Sequence, residues 1–181
     1  MNDPKLLAGV LAAVLALSSQ ALAQVSGSGA SPVKEVCVTP TVTASNAYGT
    51  NYVVGGLLTF SFPFPQSGSG VVQSIYVNIK DVESSGFTFV PFVGSPTAAS
   101  YTDAAVASIP AADKFLTRGP ISLAASSILG TQTALSATGL GQALNAGAPS
   151  FYGLLVATAA LTNNFAAASD VQVCVDVVWF Q

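Results

Sequence analysis

The stretch Val171-Gln172-Val173-Cys174-Val175-Asp176-Val177-Val178-Trp179 decides the fold. Valine takes every second position from 171 to 177, with a glutamine, a cysteine and an aspartate between. Successive side chains of an extended chain point to opposite faces. The stretch therefore predicts a β-strand whose valine face meets a core. The same reading extends upstream. Residues 152–159 are almost continuously apolar, which predicts a strand buried on both faces. Residues 121–123 are a short candidate, and 87–93 form another, with Pro91 at an edge or strand end. In 74–80, Ile75, Val77 and Ile79 point inward, and in 58–64 Leu58, Phe60 and Phe62 alternate with Thr59 and Ser61. Turn-forming residues separate these runs: Gly55-Gly56, 66–70, 84–86, 94–96 and Asn163-Asn164. No alternation of strands with helical patterns appears, so the expected fold is all-β, a single antiparallel β-sandwich of jelly-roll-like type.

The stretch 126–147 is different. It is rich in Ala, Ser, Thr and Gly, and Gly130, Gly139 and Gly141 interrupt any helical period. It is expected to be a long loop with one short helix, and long loops on rigid β frames often carry binding function.

Residues 1–23 have the features of a secretory signal peptide. Lys5 precedes a run of twelve apolar residues, 6–17, and Ala21-Leu22-Ala23 forms a small-residue cleavage site. Such a run is too short to span a bilayer, which needs about 20 residues, so the mature form is expected to have no membrane segment. Residues 24–32 read as a flexible Gly/Ser linker, and 33–181 as the sandwich domain. An exported chain with two cysteines favours a disulfide. Val36 and Val38 share one face with Cys37 on the other, as the valines around Cys174 do. Two adjacent terminal strands would then bring Cys37 and Cys174 together, and the large loop so closed is worth roughly 4–5 kcal/mol in the chain-entropy model.

Composition excludes several functions. Of 181 residues, 51% are apolar and 7% charged, where an average domain has about 25% charged. Five basic residues, nowhere clustered, do not make a surface for nucleic-acid phosphates. The absence of histidine removes the usual general base and the commonest transition-metal ligand. Asp81 and Glu83 lie beside a Ser-Ser-Gly turn and read as solvated loop charges. Asp103 and Asp113 lack calcium-loop spacing. No phosphate loop occurs. The chain is therefore expected to have no catalytic residues, cofactor or metal. Tyr48, Tyr52, Tyr76, Tyr101 and Tyr152 are candidates for a face that binds a glycan or a protein partner.

Several segments also share an order with known proteins. Tyr48-Gly-Thr-Asn-Tyr-Val-Val-Gly-Gly-Leu-Leu-Thr-Phe60 is followed by Gly68-Ser-Gly-Val-Val-Gln-Ser-Ile75, Gly94-Ser-Pro-Thr97 and Ser100-Tyr-Thr-Asp-Ala104. The run from Ile109 to Asp113 follows, and Phe151-Tyr-Gly-Leu-Leu-Val-Ala157 and Ala168-Ser-Asp-Val-Gln-Val173 close the series. This order resembles small structural proteins of tailed bacteriophage virions and covers about residues 48–178. The resemblance implies a β-rich, decoration-like particle protein, oligomeric or packed with assembly partners, with no catalytic residues. The signal-like segment and the cysteine pair fit an alternative, an exported bacterial surface or adhesion module that binds glycan or protein.

Overall fold

A computed structural model describes residues 33–62, 69–81, 85–97, 101–130, 132–144 and 150–180. The expected signal peptide and linker lie outside these residues. Eight strands run in chain order: β1 (Val33–Val38), β2 (Val53–Ser61), β3 (Ser69–Ile79), β4 (Phe87–Phe92), β5 (Ile121–Leu129), β6 (Gln132–Leu144), β7 (Ser150–Ala157) and β8 (Val171–Phe180). All pairings are antiparallel, in the hydrogen-bonded order β1-β8-β3-β6-β5-β4-β7-β2.

This order folds into the two layers of a β-sandwich. One sheet holds β1, β8, β3 and β6, and the other holds β4, β7 and β2. Strand β5 belongs to both. Residues 121–123 pair with β4, and the rest of the strand pairs with β6. Most consecutive strands lie in opposite layers, so the fold depends on pairings between distant parts of the chain.

The alternating residues fill the space between the layers. Val171, Val173, Val175 and Val177 are buried, as are Ile75, Val77 and Ile79 of β3 and Leu58 and Phe60 of β2. Phe60, Phe89 and Phe151 meet with ring centroids 5.8–6.2 Å apart. Burying each such side chain stabilises the fold by roughly 1.5–3 kcal/mol. Gly153 of β7 makes room for this cluster, because a Cβ there would fall inside the Phe89 ring. The central β7 is buried on both faces from Gly153 to Ala157. Pro91 lies beyond the β5 pairing of β4, where its carbonyl accepts the Arg118 N–H at 2.9 Å.

A second apolar cluster forms on the outer face of β2, β4 and β7. Val53, Phe92, Tyr101, Leu154 and Val156 are covered by Ile109 and Leu116 of the β4–β5 crossover. Backbone bonds hold this crossover down. The Val53 N–H meets the Ala105 carbonyl at 2.8 Å, and the Ala107 N–H meets the Asn51 carbonyl at 2.7 Å. The start of the free edge of β2 is thereby covered, which protects that part from pairing with another chain.

The expectation for 126–147 is overturned. Its described residues other than the Gly130 turn are strand, and β6 lies inside the first sheet with Thr133 and Leu135 buried. Small residues carry little hydrophobic contrast, so the alternation of this strand is faint. The positive φ values of Gly139 and Gly141, 67° and 61°, show the glycines bending the strand without ending it.

Candidate functional site

The five tyrosines do not share a face. Tyr48 and Tyr101 are 1% and 4% exposed, so neither presents its ring to solvent. Tyr52 and Tyr152 are half-buried against different clusters. Tyr76 is also half-buried, on the outer face of the first sheet between Cys174 and Ser136.

The two buried hydroxyls end on carboxylates. Tyr48 donates to Asp103 at 2.7 Å, and Tyr101 donates to Asp113 at 2.8 Å. Burial, reinforced by these bonds, raises both phenols well above the ordinary 10.0. Asp103 also accepts the Thr43 N–H and hydroxyl, each at 2.7 Å, and the Gly55 N–H at 2.6 Å. Asp113 is 2% exposed and accepts the Thr97 N–H at 3.0 Å and hydroxyl at 3.3 Å. A calcium ion at either carboxylate would have to displace these donors. The sequence offers one trace of the arrangement, the Tyr101-Thr102-Asp103 run within the crossover. Nothing in spacing says that its carboxylate reaches back to β2.

The disulfide expected from the valine faces is present. Cys37 of β1 and Cys174 of β8 are directly opposite, with Cα atoms 4.0 Å apart. Glu35 brings a carboxylate oxygen to within 4.8 Å of both sulfurs. The sulfurs are bonded to each other and offer no thiolate for a metal. The bond fits a non-reducing environment. No helix among the described residues is long and apolar enough to cross a membrane.

Two surface features stand apart from the frame. The first is an open cleft of about 440 Å³ at one end of the first sheet. Asn78, Gln132 and Gln172 line it, with Lys80 and Asp170, whose charged atoms are 3.7 Å apart. The Asp170 side chain is 6% exposed and also accepts the Ala167 N–H at 2.6 Å. Such amides and an ion pair can bind hydroxyl-rich ligands. Nearby Asp81, expected to be solvated, has its Oδ2 buried without a hydrogen-bond partner, and Glu83 lies outside the described residues. The second feature is Phe115, 93% exposed on the crossover that covers the second sheet.

No protein-family model matches the chain, and no curated protein matches it. The fold and these surfaces define a class: a disulfide-linked antiparallel β-sandwich with one outer face covered by its own crossover.

Proposed function

We propose that the protein is a non-enzymatic structural component that works by packing into an assembly, as the resemblance of its motif order to small virion proteins implies. One observation carries this reading: the residues of that motif order are used in holding the frame. Gly55 and Gly56 form the bulge of β2. Asp103 fastens the crossover to that bulge, and the bond from Tyr101 to Asp113 joins two parts of the crossover. Phe151 and Leu155 fill the core. These contacts yield a rigid particle with a low-charge surface, suited to side-by-side packing. Sedimentation velocity over a range of concentrations, with electron microscopy of the same samples, tests the proposal. Discrete oligomers or ordered arrays support it; a monomer throughout that is absent from particles in producing cells removes it.

The disulfide and the polar cleft favour a second reading, an exported module that holds a neutral glycan between Asn78, Gln132 and Gln172. A glycan array probed with wild type and with Asn78→Ala/Gln172→Ala separates the two. Signal lost in the variant supports the cleft, and no signal from wild type excludes it.

A further inference from the structure

Strand register lays out the outer face of the first sheet beside the polar cleft. Asn78 of β3 stands directly opposite Gln172 of β8 and Ala134 of β6. Two residues earlier in β3, Tyr76 stands opposite Cys174 and Ser136. Residues two apart in a strand share a face and lie about 6.6 Å apart along it. The Asn78 and Gln172 amides line the cleft, and the Tyr76 side chain occupies the next row on the same face.

The two rows differ in chemistry. Asn78, Gln132 and Gln172 are exposed, and among the described residues their side-chain amides make no hydrogen bond. Each amide offers two donors and an acceptor. Lys80 and Asp170, with charged atoms 3.7 Å apart, line the same cleft as a pair. The Tyr76 row offers apolar surface instead. Its neighbours across the sheet, Cys174 and Ser136, are both shorter than the phenol. Tyr76 is half-buried, so part of it is open to solvent. A pyranose ring has the matching pair of surfaces: an apolar face of C–H groups and a rim of hydroxyls. Aromatic side chains take the first, and amides take the second.

Both rows are held in place. Around Tyr76 and Asn78, β3 is paired along both edges, with β6 and with β8. The Cys37–Cys174 disulfide fastens β8 to β1 in the row of Tyr76. At the cleft, the Lys80 N–H bonds the Asp170 carbonyl at 3.0 Å, tying the end of β3 to the start of β8. A surface already ordered loses little entropy when a ligand docks.

From this arrangement we infer that the cleft takes a neutral oligosaccharide of at least two sugar units, running along β3. One unit is hydrogen-bonded by Asn78, Gln132 and Gln172. The next lays its C–H face on Tyr76. A single sugar fills one of these subsites and leaves the other empty. The inference rests on the glycan reading above and adds to it a stacking platform and a minimum ligand length.

The test is titration calorimetry on the full chain, with melting curves to show that each variant is folded. The probes are glucose, mannose, galactose and N-acetylglucosamine, each as the single sugar and as linear oligomers of two to four units. In the series that binds, the two-unit sugar is expected to bind roughly tenfold tighter than the single unit. Tyr76→Ala removes that gain and leaves the affinity for the single sugar unchanged, whereas Tyr76→Phe keeps the gain. Tyr76→Ile, with a side chain suited to a strand, serves if Tyr76→Ala does not fold. Asn78→Ala/Gln172→Ala loses the single sugar and the oligomers together. Equal affinity for one unit and two, or a gain that survives the loss of the Tyr76 ring, overturns the platform and leaves the glycan reading of the cleft standing. A wild type that binds none of these sugars overturns both.

Discussion

The Asp103 carboxylate accepts the backbone N–H of Gly55 at 2.6 Å, 48 residues earlier in the chain. The bond joins the crossover to the bulge of the edge strand β2. Asp103→Ala leaves the Gly55 N–H and the buried Tyr48 hydroxyl without their carboxylate acceptor, and a buried donor so stranded costs about 1–3 kcal/mol. The expected loss is roughly 2–4 kcal/mol, seen as a lower urea midpoint with an unchanged slope.

Two glycines with similar backbones separate conformational strain from crowding. Gly55 has φ of 78° and Gly139 has φ of 67°. A Cβ at Gly55 would collide with Pro40, whereas a Cβ at Gly139 meets nothing within 4 Å. Gly139→Ala is expected to cost about 1 kcal/mol, from the left-handed backbone alone. Gly55→Ala should cost roughly 1–3 kcal/mol more. Equal unfolding midpoints for the two variants would contradict this account.

Reduction of the disulfide should be the largest single loss. Cys37 and Cys174 are 137 residues apart in sequence. Chain entropy gives about 5 kcal/mol for a loop of that size. Melting with and without reductant measures it, and Cys37→Ser/Cys174→Ser should match the reduced protein.

Alkaline pH should act through Tyr48 and Tyr101. Both phenols are raised above 10.0 by burial and by their carboxylate partners. A raised folded value means that the folded state holds its proton longer than the unfolded chain. The contribution is complete below the unfolded value and declines as pH rises past it. Stability is therefore expected to be flat with respect to these groups at neutral pH and to fall above about pH 10. In Tyr48→Phe/Tyr101→Phe the alkaline fall should be shallower, although stability at neutral pH is lower.

Amide hydrogen exchange distinguishes a strand from a loop at 133–138. These residues pair with β3 on one side, and several pair with β5 on the other. Their amides should exchange as slowly as those of β8. Exchange at the rate of an exposed loop would remove β6 from the sheet.

Much of the architecture was legible in the sequence because its strands pair large with polar residues. The Val171–Val177 alternation gives both the buried face and the side on which Cys174 stands. The same logic at Cys37 gives the disulfide without further information. The β6 strand was missed because Thr133, Leu135 and Ala137 contrast weakly with Ala134 and Ser136. The second apolar cluster was missed for another reason. Its cover is the crossover, and alternation within a strand does not say what lies over its outer face. The tyrosine candidates show the same limit. Composition identifies Tyr48 and Tyr101 as aromatics with a polar end, but only the fold reveals Asp103 and Asp113 beside them. The cleft draws its lining from β3, β6 and β8, so no local motif could announce it.

The position of the disulfide has a mechanical consequence. It joins the first strand to the last, directly across the β1–β8 ladder. A pull applied to the chain on the two outer sides of Cys37 and Cys174 passes through the sulfur–sulfur bond. Only the parts of β1 and β8 outward of the cysteines can peel away. Strands β2 to β7 lie within the covalent loop and carry no tension. Under load the oxidised protein behaves as a short inextensible link, and only after reduction can it lengthen by unravelling.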